Sequence, residues 1–349
     1  MIQSTFFSFG QKGFMHPEEQ IDFVKEQILK MEEPFLSAYN QLLLVASEAL
    51  SSPNQIQEIF YVPGFYENPE EHRKNAQRLQ TDAFKAYANA LAYRLGAGNE
   101  YGRKACKILH EWAQINKRYS GNDGSLVMAY SGSAMIIAAQ LMSNSNLWGE
   151  VEKSLFDLWV KNVYWKACNE IRNRPNNWAD WGRFGSLLCS TYFTDEEELQ
   201  KNMQLFKSDI FNKIASDGSM PEEIKREKNG IWYTYFSLAP MTASCWIIYN
   251  STGENLFCWE KGGISIKTAI DYLFYYNQHP DEWKWYKNPN IGKPNRWPGN
   301  LLEAMAGIYR DASYEQFLKP NRPLIYPEHH FVWTFPTLMP LTLEGYRQQ

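Results

Sequence analysis

Cysteine is scarce: Cys106, Cys168, Cys189, Cys245 and Cys258 make an odd number, and no two stand in CxxC spacing. That excludes a complete disulfide framework or a cysteine-built zinc cage as the basis of folding and points to reduced, mostly buried thiols. No apolar run reaches the ~20 residues of a membrane span. The start MIQSTFFSFG has neither the basic stretch nor the apolar core of a secretion signal. Positive charge is not in excess either. Thirty-five Lys and Arg against 39 Asp and Glu leave a net charge of −4, which argues against a general nucleic-acid binder, because neutralising phosphates needs clustered surplus cations. HExxH, P-loop, GxSxG and strand-linked GxGxxG motifs are all missing, as are a fixed-period repeat and a convincing alternating strand pattern. Of six histidines only His329 and His330 are neighbours. Adjacent side chains seldom converge on one ion, so neither a metal site nor a cofactor is expected. The pair reads either as a polar C-terminal loop or as one imidazole facing a cleft.

Aromatic residues are abundant, at 15% with 13 Trp and 21 Tyr. Such rings build cores and also stack on sugars or bases. Apolar spacing is helical almost throughout. Phe84, Tyr87, Ala88, Leu91 and Leu95 step by three and four, as do Ala105, Ile108, Leu109, Trp112 and Ala113. Thr194 followed by Glu197 reads as a capping box opening a helix with the stripe Leu199, Met203, Phe206, Ile210 and Ile214, stopped by Asp217-Gly218. Similar patterns cover 17–50, 125–143, 147–166, 177–193, 232–250, 262–277 and 299–312. About ten helices with short connections and no Pro- or Ser-rich linker predict one all-α domain over 1–349, an incomplete α/α toroid of helical hairpins. Segments 51–72 and 278–298 break the rhythm and are the places to look for lids or binding loops.

Two polar, aromatic segments stand out: Asn173-Arg174-Pro175-Asn176-Asn177-Trp178-Ala179-Asp180-Trp181-Gly182, and Asp217-Gly218-Ser219-Met220-Pro221-Glu222-Glu223-Ile224-Lys225-Arg226 running on to Trp232-Tyr233-Thr234-Tyr235. Asn capping a helix start and an Asp-Gly turn explain part of this. On a continuous helix, Arg226 and Tyr233 would share a face two turns apart, although Asn229-Gly230 could interrupt it.

Taken together, Asn-Asn-aromatic-x-x-Trp, Asp-Gly-Ser-x-Pro-x-Glu-x-x-Arg and a Tyr in a helix reaching Leu-Ala-Pro resemble the alginate lyase superfamily of polysaccharide lyases. The likeness is strongest over 170–245 and weaker over 80–115. It implies an α/α toroid that cleaves uronic-acid polymers by β-elimination. It further implies that Asn177 hydrogen-bonds the substrate carboxylate, Arg226 pairs with it, and Tyr233 abstracts the C5 proton and returns it to the leaving O4. An early-hairpin basic residue, Arg73 or Arg78, would also contact substrate, and the location would be periplasmic or secreted.

The residue types suit that chemistry. A uronate resists losing its C5 proton until positioned donors offset its carboxylate charge. A phenol is a poor base unless nearby positive charge stabilises the phenolate. This chain departs from mannuronate-specific relatives, which carry His after Asn-Asn. Trp178 stands there, and an indole N–H is no base. The substitution favours syn elimination on polymannuronate or glucuronan, where H5 and O4 share a face, unless His329, His330 or another loop histidine replaces the imidazole.

Asn176, Trp178, Trp181, Arg174, Lys225, Tyr235, Trp285, Lys287, Arg296 and His330 are the candidate substrate-binding residues. Cations here meet carboxylates while rings stack on sugars. Trp283, Lys284, Lys293 and Trp297 extend the aromatic-cationic loop, and Arg172, Arg183 and Lys228 the patch around the motifs. The expected partner is an anionic polysaccharide, with no nucleic acid and no membrane; the sequence leaves oligomeric state open. Rival readings are a toroid glycoside hydrolase using Asp180, Asp217, Glu222 or Glu223, and a non-catalytic glycan-binding protein.

Overall fold

A computed structural model describes residues 13–346; the start MIQSTFFSFG lies outside them. The helices are α1 (Glu18–Leu29), α2 (Phe35–Leu50), α3 (Pro69–Arg94), α4 (Asn99–Ile115), α5 (Gly124–Met142), α6 (Glu150–Trp159), α7 (Trp165–Ile171), α8 (Asn177–Phe193), α9 (Glu196–Lys213), α10 (Pro221–Ile224), α11 (Gly230–Thr252), α12 (Ile266–Gln278), α13 (Gly299–Tyr309) and α14 (Ala312–Leu318).

Hydrophobic patterning sorts them into two layers. Helix α5 carries no charged residue and is buried along its whole length, and α11 is buried almost continuously to Ile248. By contrast, α4 buries only one stripe, through Ala105, Ile108, Leu109, Trp112 and Ala113. Helices apolar all round line the interior, and striped ones back onto them. Thus α3, α5, α8 and α11 pack side by side in that order, with α4, α9 and α12 outside α3, α8 and α11. This is an incomplete α/α toroid. The C-terminal segment bridges its first and last inner helices. Phe331 and Phe335 stack on Phe84 of α3, and the Trp333 indole donates to Thr242 of α11 at 3.0 Å.

Several local expectations are corrected. The 17–50 pattern is two helices, because the residue before Pro34 is disfavoured in helical conformation and the chain turns there. Thr194 does not cap α9. It closes α8 in a left-handed conformation, φ 56°, while Asp195 caps α9 by accepting the Glu198 N–H at 3.0 Å. The left-handed turn out of α8 takes up Thr194, so the cap falls one residue later than the Thr194–Glu197 frame. A parallel pair of three-residue strands, Ile59–Tyr61 and Arg118–Ser120, is too short to show alternation. Gly124–Met142 is long and apolar enough to cross a membrane by composition, yet every residue of it is buried among other helices.

Candidate active site

Two helix starts and one loop build the site. Asn176 caps α8, its Oδ1 accepting the Trp178 N–H at 3.3 Å. Asn177 follows, and both its backbone N–H and its Nδ2 donate to the Glu223 carboxyl, at 2.8 and 2.7 Å. Glu223 reaches it because the Asp217-Gly218 turn, with Gly218 at φ +85°, swings the chain back, and Pro221 then starts the short α10. A Cβ on Gly218 would stand 2.4 Å from the Thr268 carbonyl oxygen, so only glycine fits.

Arg226 and Tyr233 do not lie on a continuous helix. The chain leaves α10, makes a 3-10 turn over Glu227–Asn229 and restarts as α11 at Gly230. The break still brings the pair together: the guanidinium carbon lies 5.0 Å from the centre of the Tyr233 ring and 5.8 Å from that of Tyr66. The hydroxyls of Tyr66 and Tyr233 are 3.0 Å apart. Among the described residues, no carboxylate forms an ion pair with Arg226, which leaves its charge for a ligand. Tyr233 sits in the first turn of α11 and Asn177 in that of α8, so the positive ends of two helix dipoles converge on this place.

The electrostatics are divided. Burial raises the Tyr233 hydroxyl above the ordinary phenol value, its contact with Tyr66 adds to this, and the Arg226 charge opposes both. Burial likewise pushes the Glu223 carboxyl up to about 7, against the lowering effect of the Asn177 hydrogen bonds. Beneath them lies a buried ion pair, Lys213 to Asp180 at 2.6 Å, with Ser237 donating to the same aspartate. Lys213 also donates to the Asn176 carbonyl at 3.1 Å. The pair therefore fixes the turn that aims Asn177.

The remaining candidates divide between cleft and core. Trp178 is half-buried under the Arg174 guanidinium, 4.0 Å from its ring centre. Trp181 is fully buried against Tyr130, Phe184, Phe236 and His330, which leaves its ring no face for a sugar. Tyr235 and His330 are also 0% exposed, packed on each other and on Tyr326, and burial drops His330 well below the usual imidazole value. All three are core positions: a helical stripe does not reveal that the rings of Trp181 and Tyr235 turn inward, nor a loop position that His330 is buried. Arg172 and Arg183 are spent on buried pairs with Glu198 and Asp209 rather than adding to a surface patch. Lys225 is exposed and pairs with Glu222; Arg296 pairs with Glu328. Trp285 and Lys287 are exposed on the 278–298 loop, whereas Trp283 anchors that loop, its indole donating to the Glu227 carbonyl at 3.0 Å.

The sequence left Tyr66 unnamed and gave Glu223 and His329 only as rival readings, a hydrolase carboxylate and a replacement imidazole. Tyr66 lies in the flagged 51–72 loop, but nothing in the sequence aims it at Tyr233. Glu223 belonged to the quoted motif without a role beside Asn177. His329 is half-buried with φ 53°, stacked on Tyr130 at 4.7 Å and edge-on to Trp232, beside the tyrosine. The carboxylates open to a hydrolase are each engaged: Asp180 with Lys213, Asp217 with Ser219, Glu222 with Lys225 and Glu223 with Asn177. Among the described residues, no group of three or more His, Cys, Asp or Glu is placed to hold a metal ion.

No curated protein matches this sequence. Solved structures do match in fold. A tyrosine-to-phenylalanine variant of alginate lyase A1-III, complexed with tetrasaccharide, superposes with TM-score 0.75 at 15% identity, covering 98% of this chain and 99% of that one. An alginate lyase from Bacteroides ovatus gives TM-score 0.73 at 20% identity, covering 97% and 100%. Alginate lyase A1-III from Sphingomonas species A1 gives 0.73 at 15%, covering 94% and 97%. Residues 44–283, well over half of the sequence and containing Tyr66, Asn177, Glu223, Arg226 and Tyr233, match the family described as Alginate lyase, and the chain belongs to that family.

Proposed function

We propose that this protein is a polysaccharide lyase that cleaves β-1,4-linked uronate chains, polymannuronate or glucuronan, by syn β-elimination at Asn177, Arg226 and Tyr233. The observation that carries the reading is the Arg226 guanidinium, without an ion-pair partner among the described residues, 5.0 Å from the centre of the Tyr233 ring, where α8 and α11 start. Family membership supplies the class of activity, and a relative's tetrasaccharide complex is consistent with an oligosaccharide in the corresponding cleft.

The uronate carboxylate enters the positive field of Arg226 and the Asn177 amide, which offsets the charge that builds on it as the C5–H bond breaks. Tyr233, as phenolate beside Arg226, takes the C5 proton. The C4=C5 double bond forms from that electron pair, the C4–O4 bond breaks, and the same tyrosine hydroxyl protonates the departing O4. Base and acid on one side chain require H5 and O4 on one face of the ring. Trp178 supplies no second base.

Side-by-side incubation with polymannuronate, polyguluronate and glucuronan tests this, following the ultraviolet absorbance of the conjugated product. Growth of that signal on polymannuronate or glucuronan, and its loss in Tyr233→Phe, is the expected result. Chain cleavage without the absorbance would instead indicate hydrolysis, and binding without cleavage a glycan-binding protein.

A further inference from the structure

Glu223 has no part in the elimination as written, yet it grips Asn177 twice. One carboxyl oxygen accepts the backbone N–H at 2.8 Å and the other accepts Nδ2 at 2.7 Å. That arrangement turns the Asn177 carbonyl oxygen the other way, and this Oδ1 is buried without a hydrogen-bond partner among the described residues. It is the arrangement of an ionised Glu223, and it serves a carboxylate ligand badly. One Nδ2 proton is spent on the protein, and the amide's acceptor end is left unsatisfied.

We infer that Glu223 is the positioning residue of the site and works as a neutral acid: its O–H donates to Asn177 Oδ1, the amide turns about its Cβ–Cγ bond, and both Nδ2 protons are freed for the substrate carboxylate. This rests on the reading of Asn177 given under Proposed function. The backbone N–H of Asn177 keeps its acceptor in either arrangement, so only the side-chain amide turns. The proton stays on Glu223 throughout, and no bond other than hydrogen bonds is made or broken.

Charge balance favours the neutral form. An ionised Glu223, a substrate carboxylate and a Tyr233 phenolate would set three negative charges beside the Arg226 guanidinium. The groups facing Glu223 are Asn177 and Asp180 of α8, Lys213 of α9 and Tyr233 of α11, with Arg226 following in its own segment. Lys213 is already held by Asp180 at 2.6 Å, with Asp209 at 3.8 Å. Ionised Glu223 also opposes the phenolate at Tyr233. Burial holds the carboxyl up to about 7, within reach of neutrality in ordinary conditions.

The test uses the full chain carrying Tyr233→Phe, so that ligand is bound but not consumed, and calorimetric titration with mannuronate and glucuronate trisaccharides from about pH 5.5 to 9. With Glu223 intact, affinity should fall toward about tenfold per pH unit above its titration. Adding Glu223→Gln, which permanently offers an N–H to Oδ1 and an oxygen to the Asn177 backbone, should flatten that profile. Glu223→Ala should weaken binding roughly tenfold or more at every pH. A flat profile with Glu223 present, or a folded Glu223→Gln as weak as Glu223→Ala, would overturn the inference. If no uronate binds at any pH and the unsubstituted protein shows no turnover, the lyase reading fails on its own. The positioning role is then read by NMR from the Glu223 carboxyl carbon and the Asn177 side-chain amide. One shared titration supports the role, and separate titrations refute it.

Discussion

The hydroxyl of Tyr66, carried by the 51–72 loop, stands 3.0 Å from that of Tyr233 in the first turn of α11. The contact raises the Tyr233 hydroxyl, adding to the effect of burial. Tyr66→Phe should therefore move the acidic limb of the pH–rate profile to lower pH, with kcat changed by no more than about tenfold, as for one lost hydrogen bond. Tyr233→Phe should abolish turnover, a loss of about 10²–10⁴ or more. A Tyr66→Phe profile shifted to higher pH would contradict the assignment.

Arg226 lowers the Tyr233 hydroxyl against the effect of burial. Removing it as Arg226→Ala should push the acidic limb to higher pH and cut kcat/KM by about 10² or more, since a charge-stabilising donor is lost. Arg226→Lys should restore part of the pH shift, because the point charge returns, but less of kcat/KM, because the planar fork does not. Initial rates across pH on polymannuronate separate the two effects.

Asp180 and Lys213 are both buried and 2.6 Å apart. Replacing only the lysine, as Lys213→Met, leaves an unpaired buried carboxylate and should destabilise the fold by about 3–5 kcal/mol. Denaturant titration of the wild type and variant measures it. Lys213→Met with Asp180→Asn should recover much of the loss.

Folded, Glu223 keeps its proton up to about 7, whereas an unfolded glutamate releases it at its ordinary, lower value. Between those values the folded chain binds more protons, so this group's contribution to stability falls as pH rises through the window. Glu223→Gln does not titrate. Its melting temperature relative to wild type should climb from about pH 5 to 7 and level off above. A relative melting temperature that falls over that range would reverse the sign argued here.

Gly182 of α8 packs directly on the end of α7. A Cβ there would lie 2.6 Å from the Cys168 carbonyl oxygen and 2.7 Å from the Arg172 nitrogen, both backbone atoms that cannot step aside. Gly182→Ala should destabilise by about 1–3 kcal/mol through overpacking. It should also lower activity, because α8 begins with Asn177; thermal unfolding and rate measured on one preparation check both.

Much of this was legible in the chain. Charge-free stretches such as 124–142 and one-striped helices such as 99–115 separate inner from outer layers, because burial demands follow directly from side-chain type at helical spacing. The Asn-Asn and Asp-Gly-Ser-x-Pro-x-Glu-x-x-Arg segments marked the site for a local reason: caps, turns and a glycine with φ +85° are requirements of neighbouring residues. What could not be read was direction. Trp181 and Tyr235 belong to aromatic-rich helices just as Trp178 does, yet neighbouring helices enclose the first two and leave the third half-exposed. Arg172 and Arg183 look as available as Arg226 until partners from α9 claim them. Sequence alone determined the helices, their sidedness and the residue types gathered at the start of α8 and before α11. Only the tertiary structure decided which charges stay unpaired and that Tyr66 meets Tyr233 and Glu223 meets Asn177, because those contacts join residues 167 and 46 positions apart, which local physics does not couple.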